Sequence, residues 1–384
     1  MTGRERIIKA LNHQIPDFVP VTIHQFMPGF RQKYFINMSN IEVNRKFGLD
    51  IFAYFGDNYL DKQESITLGL GEPIVKETGD DSQTEEWQFQ RTVIEDKGEW
   101  VIARQLVKTP KGEIEQIIQE STKNIGEQYW VKERPIKEKN DVEKLKYRPV
   151  PEINVERCRN FKNEVGDNGI IRGGVWDIWA EASELVSPQK LILESIKDPK
   201  WVFELLDVIY DRTRKIVDKL PDSIDLIELY ATDCSSALIS PKIYEKFILP
   251  YAKKLVAQIK SRGFFTSYHI CGKVMALIDL IAETGTTALE TLAPKELHGD
   301  ADLKVIKDKI GDKICMIGGF DQVNVLERGD KELIFRKVKE CIDAAASGGG
   351  YILMPSDHFW DAPPENIEYY VKAARQYGDY INIS

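Results

Sequence analysis

Phe264-Phe265-Thr266-Ser267-Tyr268-His269-Ile270-Cys271-Gly272 is an aromatic, strand-forming run that ends in His-x-Cys-Gly. Side chains two apart on a strand point to the same face, so the His269 imidazole and the Cys271 sulfur leave the strand end side by side. Imidazole nitrogen and thiolate sulfur are both zinc ligands, and a catalytic zinc typically takes three protein ligands and keeps one position open. A spacing this short also arises by accident, from a strand-end histidine beside an ordinary buried thiol. The surrounding chain must therefore decide.

Working outward, comparable apolar runs recur at 18–23, 51–55, 169–175, 224–230, 264–271, 286–292, 314–318 and 351–355. That is the number of strands that closes a TIM barrel. Amphipathic stretches lie between them, at 188–218, 241–262, 272–284, 330–346 and 363–378. In 241–262, Ile243, Phe247, Ile248, Tyr251, Leu255 and Ile259 recur at helical spacing, and Pro363-Pro364-Glu365 is a helix-start signature. Strands alternating with helices predict an α/β fold with a parallel sheet. The segment 72–150 departs from this rhythm: it is dense in Lys, Glu and Asp, with Trp87, Phe89, Val93, Trp100 and Val101 in short alternations. The expectation is one (β/α)8 barrel domain over 1–384, carrying 72–150 as a β-rich insertion in its N-terminal half.

Composition narrows the function. The 384 residues are 42% hydrophobic, ample for a core, and 52 basic against 61 acidic side chains leave a formal charge of -9. There is no basic tract to follow a phosphate backbone, so nucleic acid is not an expected partner. No apolar run approaches the roughly 20 residues that span a bilayer, and the N-terminus lacks a signal-peptide core, so a soluble, cytoplasmic protein is expected. Cysteines at 158, 234, 271, 315 and 341 are odd in number and scattered, which suits reduced thiols better than a disulfide framework.

In a barrel of this kind the active site is built by the loops at the C-terminal ends of the strands. Those ends are rich in chemistry here. His24 follows the first run, Asp57 the second, Trp176 and Asp177 the third, and Asp233 with Cys234 the fourth. Glu290 closes the sixth, Asp321 follows the seventh, and Asp357-His358 follows the eighth. Phe26, Met27, Trp176, Phe359 and Trp360 would give the mouth an aromatic and methionine lining.

With those residues in view, the chain resembles the uroporphyrinogen decarboxylase superfamily. The resemblance rests on Ser240-Pro241-Lys242-Ile243-Tyr244 with Pro250-Tyr251, on His269-Ile270-Cys271-Gly272, on Gly299-Asp300-Ala301-Asp302-Leu303-Lys304, and on Gly348-Gly349-Gly350-Tyr351-Ile352-Leu353 leading to Pro363-Pro364-Glu365. It implies a TIM barrel, in agreement with the strand count. The metal-free decarboxylases of that superfamily grip a polyanionic tetrapyrrole with an Arg-Gln-Ala-Gly-Arg motif; the corresponding stretch here, Ile23-His24-Gln25-Phe26-Met27-Pro28-Gly29-Phe30-Arg31, lacks the arginine pair. The other branch consists of zinc methyltransferases that exchange methyl groups with corrinoid proteins and carry His-x-Cys-Gly.

That branch implies Zn2+ on His269 and Cys271, with a further ligand from the late loop. The thiol-methylating members place a cysteine there, whereas this chain reads Met354-Pro355-Ser356-Asp357-His358-Phe359-Trp360, so Asp357 or His358 is the candidate. Glu290 is a candidate fourth ligand or a partner for the other histidine nitrogen. His24 is a candidate proton donor to a leaving phenolate, Asp57 a candidate substrate contact at the superfamily's active-site aspartate position, and Asp233 a further catalytic candidate. The chain shows no Asp-x-His-x-x-Gly cobalamin motif, so the corrinoid is expected on a partner protein. The expected activity is zinc-dependent transfer of a methyl group from a methoxylated aromatic to that corrinoid. Transfer from a corrinoid to a thiol such as coenzyme M, or metal-free decarboxylation, are the alternatives.

Overall fold

A computed structural model describes residues 1–55, 84–122 and 129–383. Its contacts divide the chain into two compact units: residues 1–58, 154–175 and 221–384 form the first, and residues 59–153 with 176–220 form the second.

The first unit is organised by a seven-stranded sheet. Its strands, in the chain numbering used throughout, are β1 (Ile51–Tyr54), β6 (Gly169–Trp176), β7 (Leu226–Tyr230), β8 (Phe265–His269), β9 (Ala288–Glu290), β10 (Cys315–Ile317) and β11 (Tyr351–Ile352); the intervening β2 to β5 belong to the second unit. The strands neighbour one another in sequence order, β1-β6-β7-β8-β9-β10-β11, and the ladders β1/β6, β7/β8, β8/β9, β9/β10 and β10/β11 are parallel. Both faces are covered, so these strands read as continuous apolar runs instead of alternating ones. This is the α/β, TIM-barrel-like architecture expected from the sequence.

The first run, 18–23, forms no ladder. Val21 makes a single parallel bridge to Leu353, supported by Leu353 N–H to Pro20 O at 2.9 Å and Thr22 N–H to Leu353 O at 3.0 Å, while Asp50 N–H reaches Val21 O at 2.9 Å. The run thus bonds to both edges of the sheet. Pro20 has no N–H to give, which limits the pairing to this short contact.

The sheet's interior changes character along β1, β6, β7 and β9, while on the β10 and β11 side it stays apolar through Ile317 and Met354. Near the N-terminal ends, Phe52, Ile170, Leu226, Ala288, Cys315 and Ile352 form one buried apolar cluster with Ile7, Ala10 and Leu11 of helix α1 (Gly3–Leu11). Helix α1 starts at a capping box in which Thr2 accepts from Glu5 N–H and the Glu5 carboxylate accepts from Thr2 N–H. Arg4 pins it to the strands through Asp225, at 2.9 and 2.5 Å. Two residues further along, the same inward face carries Tyr54, Arg172, Glu228 and Glu290, with His269 of β8 in register beside Glu290. In register, Phe52 faces Ile170 and Tyr54 faces Arg172, and His269 faces Glu290.

Two helical readings are refined. The stretch 188–218 is two helices, Pro188–Lys197 and Pro199–Lys219, because Pro199 cannot continue the first and Asp198 caps the second. The stretch 241–262 opens with one turn at Pro241–Ile243, loosens to a π-helix over Tyr244–Ile248, and becomes regular at Leu249–Ser261.

The second unit contains an antiparallel sheet of β2 (Gln88–Asp96), β3 (Trp100–Thr109), β4 (Gly112–Ser121) and β5 (Tyr129–Glu133), in that order. Gly112, at φ 108°, closes the tight β3/β4 hairpin opposite Thr109. Ile114 and Ile118 of β4 and Ala103 and Val107 of β3 are buried, and Gln105, paired with Gln116 across the ladder, accepts from its amide. The same unit includes helices Ile178–Val186, Pro188–Lys197 and Pro199–Lys219. Treating 72–150 as an insertion on the barrel is a proposal.

Candidate metal and methyl-transfer centre

The polar layer of the first unit is a connected network. Arg172, fully buried, donates to Glu228 Oε2 at 2.8 Å and to the His24 carbonyl at 2.7 Å, and its Nη1 lies 3.5 Å from Glu290 Oε2. Its guanidinium rests 3.6 Å from the centre of the Tyr54 ring and 4.5 Å from that of Phe52. The Tyr54 hydroxyl donates to Glu228, with both carboxylate oxygens at 2.6 and 2.7 Å. His269 Nδ1 stands 3.2 Å from Glu228 Oε1 and 3.4 Å from Glu290 Oε1. Two carboxylates on Nδ1 turn the other nitrogen, Nε2, outward along the strand.

Nε2 meets Cys271. The sulfur lies 3.3 Å from His269 Nε2 and 3.6 Å from Asp357 Oδ2. Gly272, at φ 93°, lets the chain turn away immediately after the cysteine. His269, Cys271 and Asp357 each offer one donor atom within 4.8 Å of the others. Zinc with bonds of about 2.0–2.3 Å in tetrahedral geometry separates a nitrogen and a sulfur, or a sulfur and an oxygen, by about 3.5 Å. The residues present therefore fit that ion, with a nitrogen, a sulfur and an oxygen as ligands.

The electrostatics follow from burial against charge. Burial alone would push the Glu228 carboxyl up, but the Arg172 guanidinium and then the His269 ring reverse this and hold it down at about 2. Glu290 lacks so close a cation, and burial plus the Glu228 charge push it up to about 7. Burial opposes a charge on His269, yet Cys271 and the two carboxylates outweigh it and raise the imidazole well above its usual range. Burial also raises the Cys271 thiol. The histidine and thiol thus retain protons that an arriving cation must displace.

His24, at the end of the bridging run, reaches the same region. Its Nε2 is 3.3 Å from the Tyr54 hydroxyl, and its ring packs edge-on to His269, with centroids 5.3 Å apart, and to His358, at 4.3 Å. Burial first, then His358, Arg172 and His269, keep it neutral.

Glu290 stands against His269 Nδ1, the position of an orienting partner for a metal-bound histidine. Asp233 lies half-buried in the turn Thr232–Cys234, outside the donor clusters around His269 and His24. Asp57 lies outside the described residues. Phe26 and Phe359 are buried against each other and against Phe30, with Phe26 also stacked on Phe47, and Met27 is buried beside them in sequence. Trp360 is 41% exposed, and Trp176 falls in the second unit. Two strand-end acids are helix caps: Asp177 accepts from Trp179 and Ala180 N–H, and Asp321 from Val323 and Asn324 N–H.

Arg172 and Glu228 went unnoticed in the sequence. Their signal was there: each is a lone charge inside an apolar run, Ile170-Ile171-Arg172 and Leu226-Ile227-Glu228-Leu229, where only a buried partner makes the charge tolerable.

A TIM-barrel-like parallel sheet thus ends in a His-x-Cys pair above a buried carboxylate layer. Residues 126–377 match the family described as uroporphyrinogen decarboxylase (URO-D), and the chain belongs to that enzyme family. Among its relatives, a methylcobamide:CoM methyltransferase MtaA of Methanosarcina barkeri is 28% identical over 225 residues, 58% of this chain and 63% of that protein. A uroporphyrinogen decarboxylase of Trichodesmium erythraeum is 24% identical over 238 residues, 59% of this chain and 62% of that one. The chain thus spans less than two thirds of the length of these relatives. A solved methyltransferase from Methanosarcina mazei has the same fold at a TM-score of 0.61 and 17% identity, covering 98% of this chain and 99% of that one. Among the described residues no helix is long and apolar enough to cross a membrane.

Proposed function

We propose that this protein is a zinc-dependent methyltransferase that works with a separate corrinoid protein in the cytoplasm, its sheet completed to a (β/α)8 barrel by the bridging run 18–23. The observation that carries the reading is the His269, Cys271 and Asp357 cluster, whose donor atoms lie within 4.8 Å of one another at the C-terminal end of the sheet. The methyltransferase relatives support the same class.

Zinc on these ligands supplies a Lewis acid to the heteroatom that loses or gains the methyl group. The chain's own residues do the rest. Glu228 and Glu290 place carboxylate oxygens 3.2 and 3.4 Å from His269 Nδ1, and Nε2 faces Cys271. Arg172 neutralises Glu228 and, through the His24 carbonyl, ties the bridging run to β6. The low exposure of His269, Glu228 and Glu290 keeps water from the electrostatically active layer and strengthens each interaction there.

The identity of the methyl donor divides two readings. A methoxylated aromatic donor rests on the aromatic residues at the strand ends, of which Phe26 and Phe359 turn into a packed ring cluster. Transfer between a corrinoid protein and a thiol such as coenzyme M is favoured by the likeness to methylcobamide:CoM methyltransferases. Metal-free decarboxylation of a polyanion is disfavoured by the positions of the arginines: Arg172 is engaged by Glu228, and Arg31, buried in the stretch Pro28–Tyr34, donates to the carbonyls of Phe26 and Met38.

The test is metal content and methyl transfer measured together. Purified protein is expected to hold zinc and to lose it with Cys271→Ser, along with methyl exchange between a reduced corrinoid protein and methoxyaromatic or thiol partners. Full activity in metal-free protein would sink the reading.

A further inference from the structure

The donor cluster at Cys271 does not use all of the ligating atoms at this end of the sheet. Another set, His24, Asp357 and His358, also brings one donor atom from each residue within 4.8 Å of the others, and His24 further belongs to a buried set with Glu228, His269 and Glu290. Asp357 belongs to both the Cys271 and the His358 sets and divides its oxygens between them: Oδ2 faces the Cys271 sulfur at 3.6 Å, while Oδ1 accepts from the His358 backbone N–H at 2.7 Å and lies 3.8 Å from His358 Nε2.

The protonation of His24 follows from its neighbours. A phenol has one proton, and that of Tyr54 is directed to Glu228 at 2.6 Å. At its 3.3 Å contact with His24 Nε2 the phenol oxygen is therefore an acceptor, and Nε2 carries the hydrogen. His24 Nδ1 is left with a lone pair. That atom is buried and has no hydrogen-bond partner among the described residues, and the same holds for His358 Nδ1. The His24 residue is only 4% exposed. A buried acceptor without a donor costs about 1–3 kcal/mol, and a ring held by its other nitrogen with its lone pair free has the arrangement of a metal-ligating histidine.

We propose that this centre takes two divalent cations bridged by the Asp357 carboxylate, one on His269 and Cys271 and the other on His24 and His358. The second position offers two imidazole nitrogens and one carboxylate oxygen, a donor set for a cation of borderline softness such as Zn2+ or Co2+. The inference rests on the metal reading of Cys271 given above and extends it to residues of the bridging run and the β11 loop.

The experiment uses the full chain, stripped of metal under reducing conditions and dialysed against Co2+ and, separately, Zn2+. Bound metal is counted per chain, and the thiolate-to-cobalt absorption band reports the Cys271 position independently of activity. Two ions per chain are expected, only one of them contributing to the band. His24→Gln and His358→Gln, made separately in case one fails to fold, are each expected to lower the count from two to one with the band retained. One ion per chain in the unaltered protein, or two ions in both variants, overturns the second position while leaving the proposed function standing. No ion and no band would remove both.

Discussion

The interior of the sheet is two layers on the same strands, and they behave as opposite materials. The lower layer, Phe52, Ile170, Leu226 and Ala288 against helix α1, is held by non-directional burial of apolar surface. The upper layer is Tyr54, Arg172, Glu228 and Glu290, two residues further along, with His269 in register beside Glu290, and every member depends on a particular neighbour. One backbone ladder carries both. The lesson is that position along a strand, and not the strand itself, separates what holds this fold together from what the protein does with it.

The sharpest way to break the contrast is to remove one charge from the upper layer. Arg172→Met leaves Glu228 and Glu290 facing each other at 0% exposure, and a loss of about 3–5 kcal/mol in denaturant unfolding is expected. The double variant Arg172→Met with Glu228→Leu should recover much of it, because the buried charge goes with its partner. A single-variant cost that the double variant does not reduce would show that the layer is packed and not paired.

The lower layer answers to volume. Leu226→Ala removes a fully buried side chain, and a loss of about 2–4 kcal/mol is expected, with zinc content per folded chain unchanged. Lost metal affinity in this variant would mean that the two layers are not separable.

A smaller effect tests the lower rim. Asp225 accepts from Arg4, Lys162 and Ile171 N–H; burial pushes its carboxyl up, but these donors outweigh that and hold it below the usual carboxylate range. A depressed native pKa means stability that is present above the unfolded value of about 3.9 and lost as pH falls through the native one. Asp225→Asn should therefore cost about 1–3 kcal/mol at neutral pH, and the gap to the unaltered protein should narrow as the solution is acidified below that range. A gap independent of pH would assign the loss to geometry alone.

Much of the fold was legible. Seven of the apolar runs became the strands of the sheet, because a strand covered on both faces must be apolar throughout and so marks itself in sequence. The run 18–23 was recognised but not its pairing, since the effect of Pro20 on a ladder depends on which edge faces it. Asp198-Pro199, which breaks 188–218, was readable from proline chemistry and was outweighed by the helical periodicity on both sides.

The site was legible in part. His-x-Cys-Gly identified His269 and Cys271, since both residues lie on one strand end and period two fixes their common face. Sequence could not sort the strand-end acids. Asp321 and Asp177 satisfy orphan N–H groups at helix starts, whereas Asp357 turns one oxygen to Cys271.

What the sequence determined by itself is whatever is local: the strand runs, their alternation with helices, the capping box of α1 and the His-x-Cys pair. Only the tertiary structure decided that Arg172 answers Glu228, that Tyr54 gives its proton to Glu228 and so leaves His24 Nδ1 bare, and that Asp357 stands between two sets of donors. The physical reason is that the role of a charged or hydrogen-bonding group is set by its partner, and these partners come from strands more than a hundred residues apart in several cases, brought within hydrogen-bond reach only when the sheet has formed.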